Sequence, residues 1–371
     1  YKPRENVIAL VKKDSVSFYD RDLKPVEYEA VTVFADSLSA EKGGFEHFMM
    51  KEITEQPDCV LKTLQSYTKG GKVAFGSLKL DEKLKNFKKI EIVACGSAYH
   101  AGVVGKYILE KLLKIPVNKG LASEFRYDEP LLDKNTLVIA ISQSGETADT
   151  LAALREAKRC GAHTLAIVNV VGSSLAKAAD DVLYTRAGPE IAVATTKGYL
   201  TQLILLSLFA VWAAEALDSA PKDRLEKIKN ELFCLPPKIS EILNNQDKIK
   251  DLAYQFGSSK SVFFIGRNID YAVTLEASLK LKEISYIHSE AYAAGELKHG
   301  TISLIEEGTL VAVVATQQHL YPKTISNMVE VRSRGAYLMG VTTYGNYSIE
   351  ETADFSVYVP RTEKYFTASL S

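Results

Sequence analysis

The sequence contains few cysteines, and none of them has the spacing of a metal or disulfide site. The four cysteines among its 371 residues are Cys59, Cys95, Cys160 and Cys234. They form no C-x-x-C pair and no Cys/His cluster, which argues against a zinc site and against a disulfide framework. We therefore expect no metal and no cofactor, and a reduced, cytoplasmic setting.

Long hydrophobic runs and a large excess of charge of one sign are also absent. A membrane span needs about eighteen uninterrupted apolar residues. The longest candidate, 203–217, is broken by Ser207 and Glu215 and is typical of a buried helix. The formal net charge is −1, so no overall basic field attracts nucleic acid or an anionic membrane. We expect neither as a partner, and any anionic ligand must be bound locally.

The chain is long enough for two cores, with 46% hydrophobic and 25% charged residues. Residues 1–40 alternate short β-prone runs with polar turns such as 20–24, a pattern of antiparallel hairpins that is too small for a domain. Residues 41–88 indicate connecting helices. Because the chain opens at Tyr1, without an initiator methionine or a signal-peptide pattern, and soon enters a strand-like run at 6–11, we expect it to begin inside a longer protein.

From residue 89 onward, apolar strands alternate with amphipathic helices. The predicted strands are 90–94, 136–141, 164–168 and 182–185 in residues 89–220, and 262–265, 310–315 and 337–342 in residues 221–371. A long helix, 193–217, is predicted to close the first set. Near-continuous aliphatic strands between helices are typical of parallel sheets covered on both faces. The sequence therefore predicts an α/β fold with two parallel, doubly wound sheets.

The two sets of elements match each other position by position, which indicates an internal duplication. The matched segments are Thr136-Leu137-Val138 with Thr309-Leu310-Val311, Gly161-Ala162 with Gly335-Ala336, and Ser123-Glu124 with Ser289-Glu290. A feature that occurs in only one copy is less easily explained by the needs of the shared fold, and it is therefore a candidate functional feature.

One such feature is the segment Ser142-Gln143-Ser144-Gly145-Glu146-Thr147, which follows a predicted strand and precedes a helix. A helix that begins at the carboxyl end of a parallel strand offers free N–H groups to an anion. Gly145 permits a tight turn, and the hydroxyls add neutral donors. The alternative is that these residues only cap the helix. The second copy, 315–320, has no hydroxyl at the three equivalent positions, so the sequence favours a phosphate-binding loop.

The turn Cys95-Gly96-Ser97 after the first predicted strand faces the same crevice. Ser97 and the backbone of Ala98 could add donors there, although a simple strand-to-helix turn explains them equally well. Neither G-x-x-x-x-G-K-[ST] nor G-x-G-x-x-G after a strand occurs, so nucleotide cradles are not indicated.

Candidate acid/base residues occur in the second copy. Glu276, Lys280 and Glu283 share one face of a predicted helix, 272–286, a spacing that by itself is typical of solvated surface. A small-residue segment, 291–300, is predicted to be an irregular loop, and it carries His299 between Lys and Gly. Histidine titrates near neutrality, so His299 could transfer a proton, but a lone loop histidine is often incidental.

Six segments together resemble the isomerase half of the glutamine-dependent glucosamine-6-phosphate synthases, also called glutamine–fructose-6-phosphate aminotransferases. The segments are ACGSAYHAG, SEFRY, ISQSGETADTLAALR, NVVGSS, AGPEIAVATTKGYLTQ and LKLKEISYIHSEAYAAGELKHG. The resemblance runs from about residue 41 to the end, and residues 1 to about 35 are similar to the last strands of the family's glutaminase domain.

The resemblance implies two flavodoxin-like sugar isomerase domains that make glucosamine 6-phosphate and glutamate from fructose 6-phosphate and glutamine, at the entry to amino-sugar synthesis. It implies a phosphate site formed by Ser142, Gln143, Ser144 and Thr147. It implies a sugar site formed by Ser97, Ala98 and Val193. It also implies that Glu283 transfers the proton between C1 and C2, that Lys280 assists it, and that His299 opens the sugar ring from the neighbouring subunit of a homodimer.

The chain departs from the family at several points. Ala98 stands where some members have serine, which removes one hydroxyl. The family's N-terminal cysteine nucleophile and the Schiff-base lysine of its C-terminal tail have no counterpart, so we expect the second domain to be truncated at its C-terminus. Two alternatives stay open at this point: a sugar-phosphate-binding module without turnover, and a related sugar-phosphate isomerase or deglycase.

Overall fold

The computed structural model describes residues 7–27 and 41–371, and the chain divides into two compact units, 1–43 and 44–371. In the first unit, three short strands form an antiparallel sheet: β1 (Ile8–Val11), β2 (Val16–Tyr19) and β3 (Pro25–Val26). The Asp20 carboxylate accepts hydrogen bonds from the Asp22 and Lys24 N–H groups, each at 2.9 Å, and closes the predicted turn. The hairpin is confirmed here; the predicted run beyond residue 27 lies outside the described residues.

The second unit is built on two five-stranded parallel sheets. The first contains β6 (Lys89–Ala94), β7 (Val117–Leu121), β8 (Thr136–Ser142), β9 (His163–Val168) and β10 (Asp181–Tyr184). The second contains β11 (Ser261–Gly266), β12 (His288–Ala293), β13 (Leu310–Ala315), β14 (Tyr337–Thr343) and β15 (Phe355–Val359). Their spatial orders, β7-β6-β8-β9-β10 and β12-β11-β13-β14-β15, are the same flavodoxin-like 2-1-3-4-5 order. The predicted fold class is confirmed.

Helices cover both sheets. They are α1 (Phe48–Thr54), α2 (Gln56–Ser66), α3 (Gly96–Leu113), α4 (Ala122–Phe125), α5 (Ala148–Arg159), α6 (Ser174–Ala178), α7 (Lys197–Leu217), α8 (Lys222–Phe233), α9 (Leu235–Leu243), α10 (Asp247–Phe256), α11 (Ile269–Ser285) and α12 (Tyr321–Arg332). A two-residue hairpin, β4 (Thr68–Lys69) with β5 (Lys72–Val73), follows α2. Helix α7 is long and apolar enough to cross a membrane by composition, but it packs against α2, α3 and α8 and is mostly buried within this unit, as a core helix is.

The strand register supports the duplication. Leu137 pairs with His163 in the first sheet, and Leu310 pairs with Tyr337 in the second. Both partners directly follow a Gly-Ala pair, so these two predicted correspondences are confirmed.

The third predicted correspondence is wrong. Val117 pairs with Ile90 in the first sheet, and Ser289 pairs with Val262, which holds the position of Ile90 in the second. Ser289 is therefore the counterpart of Val117 and not of Ser123. The letters Ser-Glu match, but the register that pairs neighbouring strands decides which residues are equivalent.

Three strands of the two parallel sheets were not predicted: β7, β12 and β15. Each lies at or beside a sheet edge and is only partly buried, so its sequence lacks the continuous apolar run of a central parallel strand. Strand β12 includes the first three residues of the predicted loop 291–300, which corrects that prediction. Helix α7 begins at Lys197 rather than 193, and Ala192, Val193 and Thr195 of the preceding segment line a cavity with the loop after β8.

Candidate functional site

A cavity of about 250 Å³ opens at the carboxyl ends of the first sheet. Every residue predicted for the site except His299 lines this cavity: Ser97, Ala98, Ser142, Gln143, Ser144, Thr147, Val193, Lys280 and Glu283. Lys280 and Glu283 come from α11 of the second sheet's domain. The site therefore combines residues from both repeats, a juxtaposition that the family resemblance implied and that residue spacing alone did not indicate.

The loop between β8 and α5 is organised by its own side chains. The Ser142 hydroxyl accepts a hydrogen bond from the Gly145 N–H at 3.0 Å and lies 2.9 Å from the Thr147 hydroxyl. Gly145 has φ of +66°, and a Cβ there would lie 2.1 Å from Ser173 Oγ and 2.6 Å from Ser173 Cβ. Glycine is therefore required at 145 by both conformation and space.

Two N–H groups of this loop are available to a ligand. Among the described residues, neither the Gln143 nor the Ser144 N–H has a hydrogen-bond partner. Helix α5 begins at Ala148, so the positive end of its dipole lies beside them. Unpaired N–H groups at a helix N-terminus are the usual binding groups for a phosphate.

The segment before α7 forms another side of the cavity. The Glu190 carboxylate accepts hydrogen bonds from the N–H groups of Thr196 and Gly198 at 2.9 and 3.0 Å, and from the Thr195 hydroxyl at 2.7 Å. A Cβ on Gly198 would lie 2.4 Å from Glu190 Oε2, so glycine allows this close contact. The arrangement holds Val193 fully exposed at the cavity.

Sequence reasoning missed Glu190 and Gln202 as cavity residues. Both belong to the segment AGPEIAVATTKGYLTQ, which carried the family resemblance, but only the fold shows that they face the cavity. Gln202 is buried, and its Oε1 has no hydrogen-bond partner within the described part of the chain. A buried, unpaired acceptor beside a cavity is a candidate partner for a ligand hydroxyl.

Glu276 also has a role that its helical spacing did not indicate. Its carboxylate accepts a hydrogen bond from the Ser97 hydroxyl at 2.7 Å and lies 2.7 Å from His100 Nδ1. Glu276 is only 7% exposed. A spacing that by itself is typical of solvated surface therefore does not describe Glu276, because α3 packs against it.

Lys280 connects Glu276 to Glu283. Its ammonium lies 3.5 Å from Glu276 Oε1 and forms an ion pair with Glu283 Oε2. Glu283 is partly exposed and lines the cavity, so its carboxylate can exchange a proton with a bound molecule. His299 is exposed at the end of a short 3₁₀ turn, Leu297–His299, and does not line this cavity.

A larger cavity, of about 730 Å³, lies at the opposite, amino end of the first sheet. Lys79, Lys83, Lys134 and Lys158 line it, with His163 at the start of β9. Ligands of open parallel sheets bind at the carboxyl ends, so size alone does not make this cavity the functional site. No group of three or more His, Cys, Asp or Glu side chains within residues 7–27 and 41–371 could hold a metal ion.

Comparison with known proteins gives the same division of the chain. The family model described as "SIS domain" matches residues 83–212 and 255–371. The chain belongs to the SIS domain family. Its first SIS domain carries the loop 142–147, and its second SIS domain contributes α11.

The C-terminal domain of glucosamine-fructose-6-phosphate aminotransferase from Francisella tularensis is 36% identical, with a TM-score of 0.84 over 89% of this chain and 93% of that one. The glutamine–fructose-6-phosphate aminotransferase (isomerizing) of Clostridium tetani is 50% identical over 100% of this chain. The chain spans 61% of the length of that relative. It corresponds to the isomerase half, with both SIS domains.

Proposed function

We propose that this chain is the isomerase part of a glutamine–fructose-6-phosphate aminotransferase, which converts fructose 6-phosphate and glutamine-derived ammonia to glucosamine 6-phosphate. One observation carries the proposal: a single cavity joins the neutral N–H and hydroxyl loop of one SIS domain to the Lys280–Glu283 pair of the other. The names of the relatives at about half identity support the same activity.

In this proposal the loop holds the phosphate group of the sugar. The free N–H groups of Gln143 and Ser144 donate to phosphate oxygens, and the hydroxyls of Ser142, Ser144 and Thr147 add further donors. The nearby N-terminus of α5 favours the negative charge. The loop itself contributes no lysine or arginine, so its donors to the phosphate are neutral N–H and hydroxyl groups.

The sugar lies between the loop and the segment before α7. Ser97, Ala98 and Val193 line this part of the cavity. The unpaired Oε1 of Gln202 accepts a hydrogen bond from a sugar hydroxyl, which satisfies a buried polar atom that has no partner otherwise. The small side chain of Ala98 leaves room for the ligand.

Glu283 is the proton-transfer residue in this scheme. Once ammonia has formed an imine at C2, the Glu283 carboxylate takes the proton from C1 and returns a proton to C2, which yields an aldehyde and an amine. Lys280, paired with both Glu276 and Glu283, holds the Glu283 carboxylate in place.

Partners complete the reaction. A glutaminase domain of the same polypeptide supplies ammonia, and a second subunit of a homodimer contributes His299 for ring opening, since this subunit's His299 does not line its own cavity. We place the reaction in the cytoplasm, at the entry to amino-sugar synthesis. Residues 1–40 are then the end of the glutaminase domain and its linker, 41–88 the connecting helices, 89–220 the first sugar isomerase domain and 221–371 connecting helices with the second.

The test uses the full-length protein with glutamine and fructose 6-phosphate. Wild type is expected to form glucosamine 6-phosphate. Glu283→Gln is expected to lose turnover at least about a hundredfold, with the affinity for fructose 6-phosphate, measured by calorimetry, within about threefold of wild type. Unchanged turnover in this variant would contradict the role of Glu283.

The same measurement separates the two alternatives. A binding module without turnover would bind fructose 6-phosphate but form no glucosamine 6-phosphate even as wild type. A simple sugar-phosphate isomerase or deglycase would act on its substrate without glutamine or ammonia. The proposed function predicts product that depends on a nitrogen donor.

A further inference from the structure

The second SIS domain holds a carboxylate of its own where its counterpart of the phosphate loop begins. Asp270 is only 1% exposed. Its Oδ2 accepts hydrogen bonds from the N–H groups of Thr316 and Gln317 at 2.8 and 3.2 Å. Its Oδ1 accepts a hydrogen bond from the Thr316 hydroxyl. The donors around this carboxylate are therefore two successive backbone N–H groups and one hydroxyl, the set that suits a phosphate.

The register makes the two loops equivalent residue by residue. Ile141 pairs with Ala94 in the first sheet as Val314 pairs with Gly266 in the second. Two residues after this matched pair, Thr316 corresponds to Gln143. Three residues after it, Gln317 corresponds to Ser144. The N–H groups that Asp270 occupies are thus the counterparts of the two that have no partner in the first SIS domain.

The same register makes Asp270 the counterpart of Ala98, since both lie four residues after the paired strand positions Gly266 and Ala94. The turns agree in conformation: Gly96 has φ of +55° and its counterpart Asn268 has φ of +59°. The first SIS domain therefore has the methyl group of Ala98 at this position, beside the cavity. The second SIS domain has the Asp270 carboxylate there, bound to the N–H groups of its own loop.

The backbone brings the carboxylate within reach. A Cβ on Gly266 would lie 2.6 Å from the Asp270 carbonyl carbon, so glycine allows the start of α11 to lie directly against the end of β11. Asp270 lies in the first turn of α11, where the helix dipole also favours a negative charge.

We propose that Asp270 is an intramolecular ligand that closes an anion site in the second SIS domain, so that the chain binds one phosphate group instead of two. The inference rests on the proposed function for the position of the sugar phosphate in the first domain. The occupant excluded by Asp270 is a phosphate or a phosphomonoester.

The surroundings of Asp270 support an anion once the carboxylate is removed. A cavity of about 420 Å³ lies against Ile269 and Gln317, at the carboxyl end of the second sheet. Lys111, Lys114 and Lys364 line it as well, with one acid, Glu110, which is paired with Lys106. Removing Asp270 leaves two buried N–H donors beside cationic side chains and open volume, which favours uptake of an anion from solution.

The experiment uses the full-length protein and inorganic phosphate as the probe. Equilibrium dialysis with labelled phosphate is expected to give one bound phosphate per chain for wild type and two for Asp270→Ala. Crystals of Asp270→Ala soaked in tungstate are expected to show the metal's anomalous signal within hydrogen-bond distance of the Thr316 and Gln317 N–H groups. Asp270→Asn fills the same space with an acceptor and is the matched control, with one phosphate as in wild type.

A folded Asp270→Ala that still binds one phosphate, with no tungstate beside Thr316, overturns the inference and leaves the proposed function intact. Wild type with no bound phosphate contradicts the loop assignment instead, while a gain of one in Asp270→Ala still supports the inference. If Asp270→Ala does not fold, the reciprocal variant decides. Ala98→Asp places a carboxylate at the equivalent position beside the first loop. It is expected to weaken fructose 6-phosphate binding at least about a hundredfold. Unchanged affinity in this variant overturns the proposal.

Discussion

The Ser97 hydroxyl donates a hydrogen bond to Glu276 Oε1 at 2.7 Å and so joins the first helix of one SIS domain to that of the other. The second oxygen of Glu276 lies 2.7 Å from His100 Nδ1, and Lys280 lies 3.5 Å from the first. All of these side chains are at least mostly buried. One carboxylate therefore fixes a cavity residue of the first domain relative to the Lys280–Glu283 pair of the second.

Glu276→Ala is expected to destabilise the protein. It leaves the Ser97 hydroxyl and the His100 ring without their buried acceptor, which costs about 1–3 kcal/mol. Urea unfolding measures the free energy of unfolding directly. Glu82→Ala, at an exposed position, is the control and is expected to change stability by less than about 0.5 kcal/mol. Equal effects of the two substitutions would mean that the buried network contributes nothing.

Gly145→Ala is expected to abolish phosphate binding by the loop. Alanine would have to adopt φ of +66° and place its Cβ 2.6 Å from Ser173 Cβ, a clash that no rotation of the serine side chain relieves. Gly172→Ala is matched in conformation, with φ of +71°, but its Cβ meets nothing within 4 Å.

Calorimetry with fructose 6-phosphate separates the effect of the steric clash at residue 145 from the effect of placing alanine at a positive φ. We expect at least about a tenfold loss of affinity for Gly145→Ala, and stability loss of about 1 kcal/mol with affinity retained for Gly172→Ala. Retained affinity in both variants would show that the loop tolerates the clash and does not hold the ligand in the described conformation.

Asp270→Asn is expected to remove a pH dependence of stability. Burial raises the pKa of Asp270 from 3.8 to about 6, against the opposing effect of its hydrogen bonds from Thr316 and Gln317. Between about pH 4 and pH 6 the folded protein then binds a proton that the unfolded chain does not. The free energy of unfolding falls by about 3 kcal/mol as pH rises through this window and is level above it.

Thermal or urea unfolding across pH 2–7 measures the slope between pH 4 and pH 6, which should be smaller in Asp270→Asn. Asp180→Asn is a control of opposite sign. Burial raises the pKa of Asp180, but hydrogen bonds from Lys158 and Thr164 outweigh this and lower it to about 2. Asp180→Asn should lose stability at pH 7, and the loss should vanish as pH falls from about 4 to 2. An unaltered slope in Asp270→Asn would contradict a buried, proton-binding Asp270.

Cys59 is expected to resist alkylation in the folded protein. Burial raises the pKa of its thiol to about 11, and its Sγ donates to the Ala187 carbonyl at 3.3 Å. Cys234 is exposed. Iodoacetamide at pH 7.5 should alkylate Cys234 and leave Cys59 unmodified, because the thiolate is the reactive form. Peptide mass spectrometry measures the extent of modification at each cysteine. Labelling of Cys59 as fast as Cys234 under native conditions would show that α2 opens readily.

The sequence predicted the central strands well because a strand buried on both faces is largely aliphatic, as residues 137–141 of β8 and the whole of β13 are. The edge strands β7, β12 and β15 were missed, since partial exposure permits polar residues that match no single pattern. The loop at Ser142 was recognisable because hydroxyls, glycine and a following helix lie together in the chain, and local chemistry is written in consecutive residues.

Glu276 shows what the sequence could not supply. An i,i+4 spacing of Glu and Lys is the same on a solvated helix face and on one buried against another helix, and only the packing of α3 on α11 decides between them. The meeting of Glu283 with the loop of the other domain, and the carboxylate of Asp270 filling the loop of its own, likewise depend on residues far apart in the chain. The sequence by itself determined the repeated parallel fold, through periodicity, and singled out the loop 142–147 as a candidate phosphate site, through its local motif. Tertiary structure decided which charges face the cavity and which loop is open, because burial and distance are set by packing between elements.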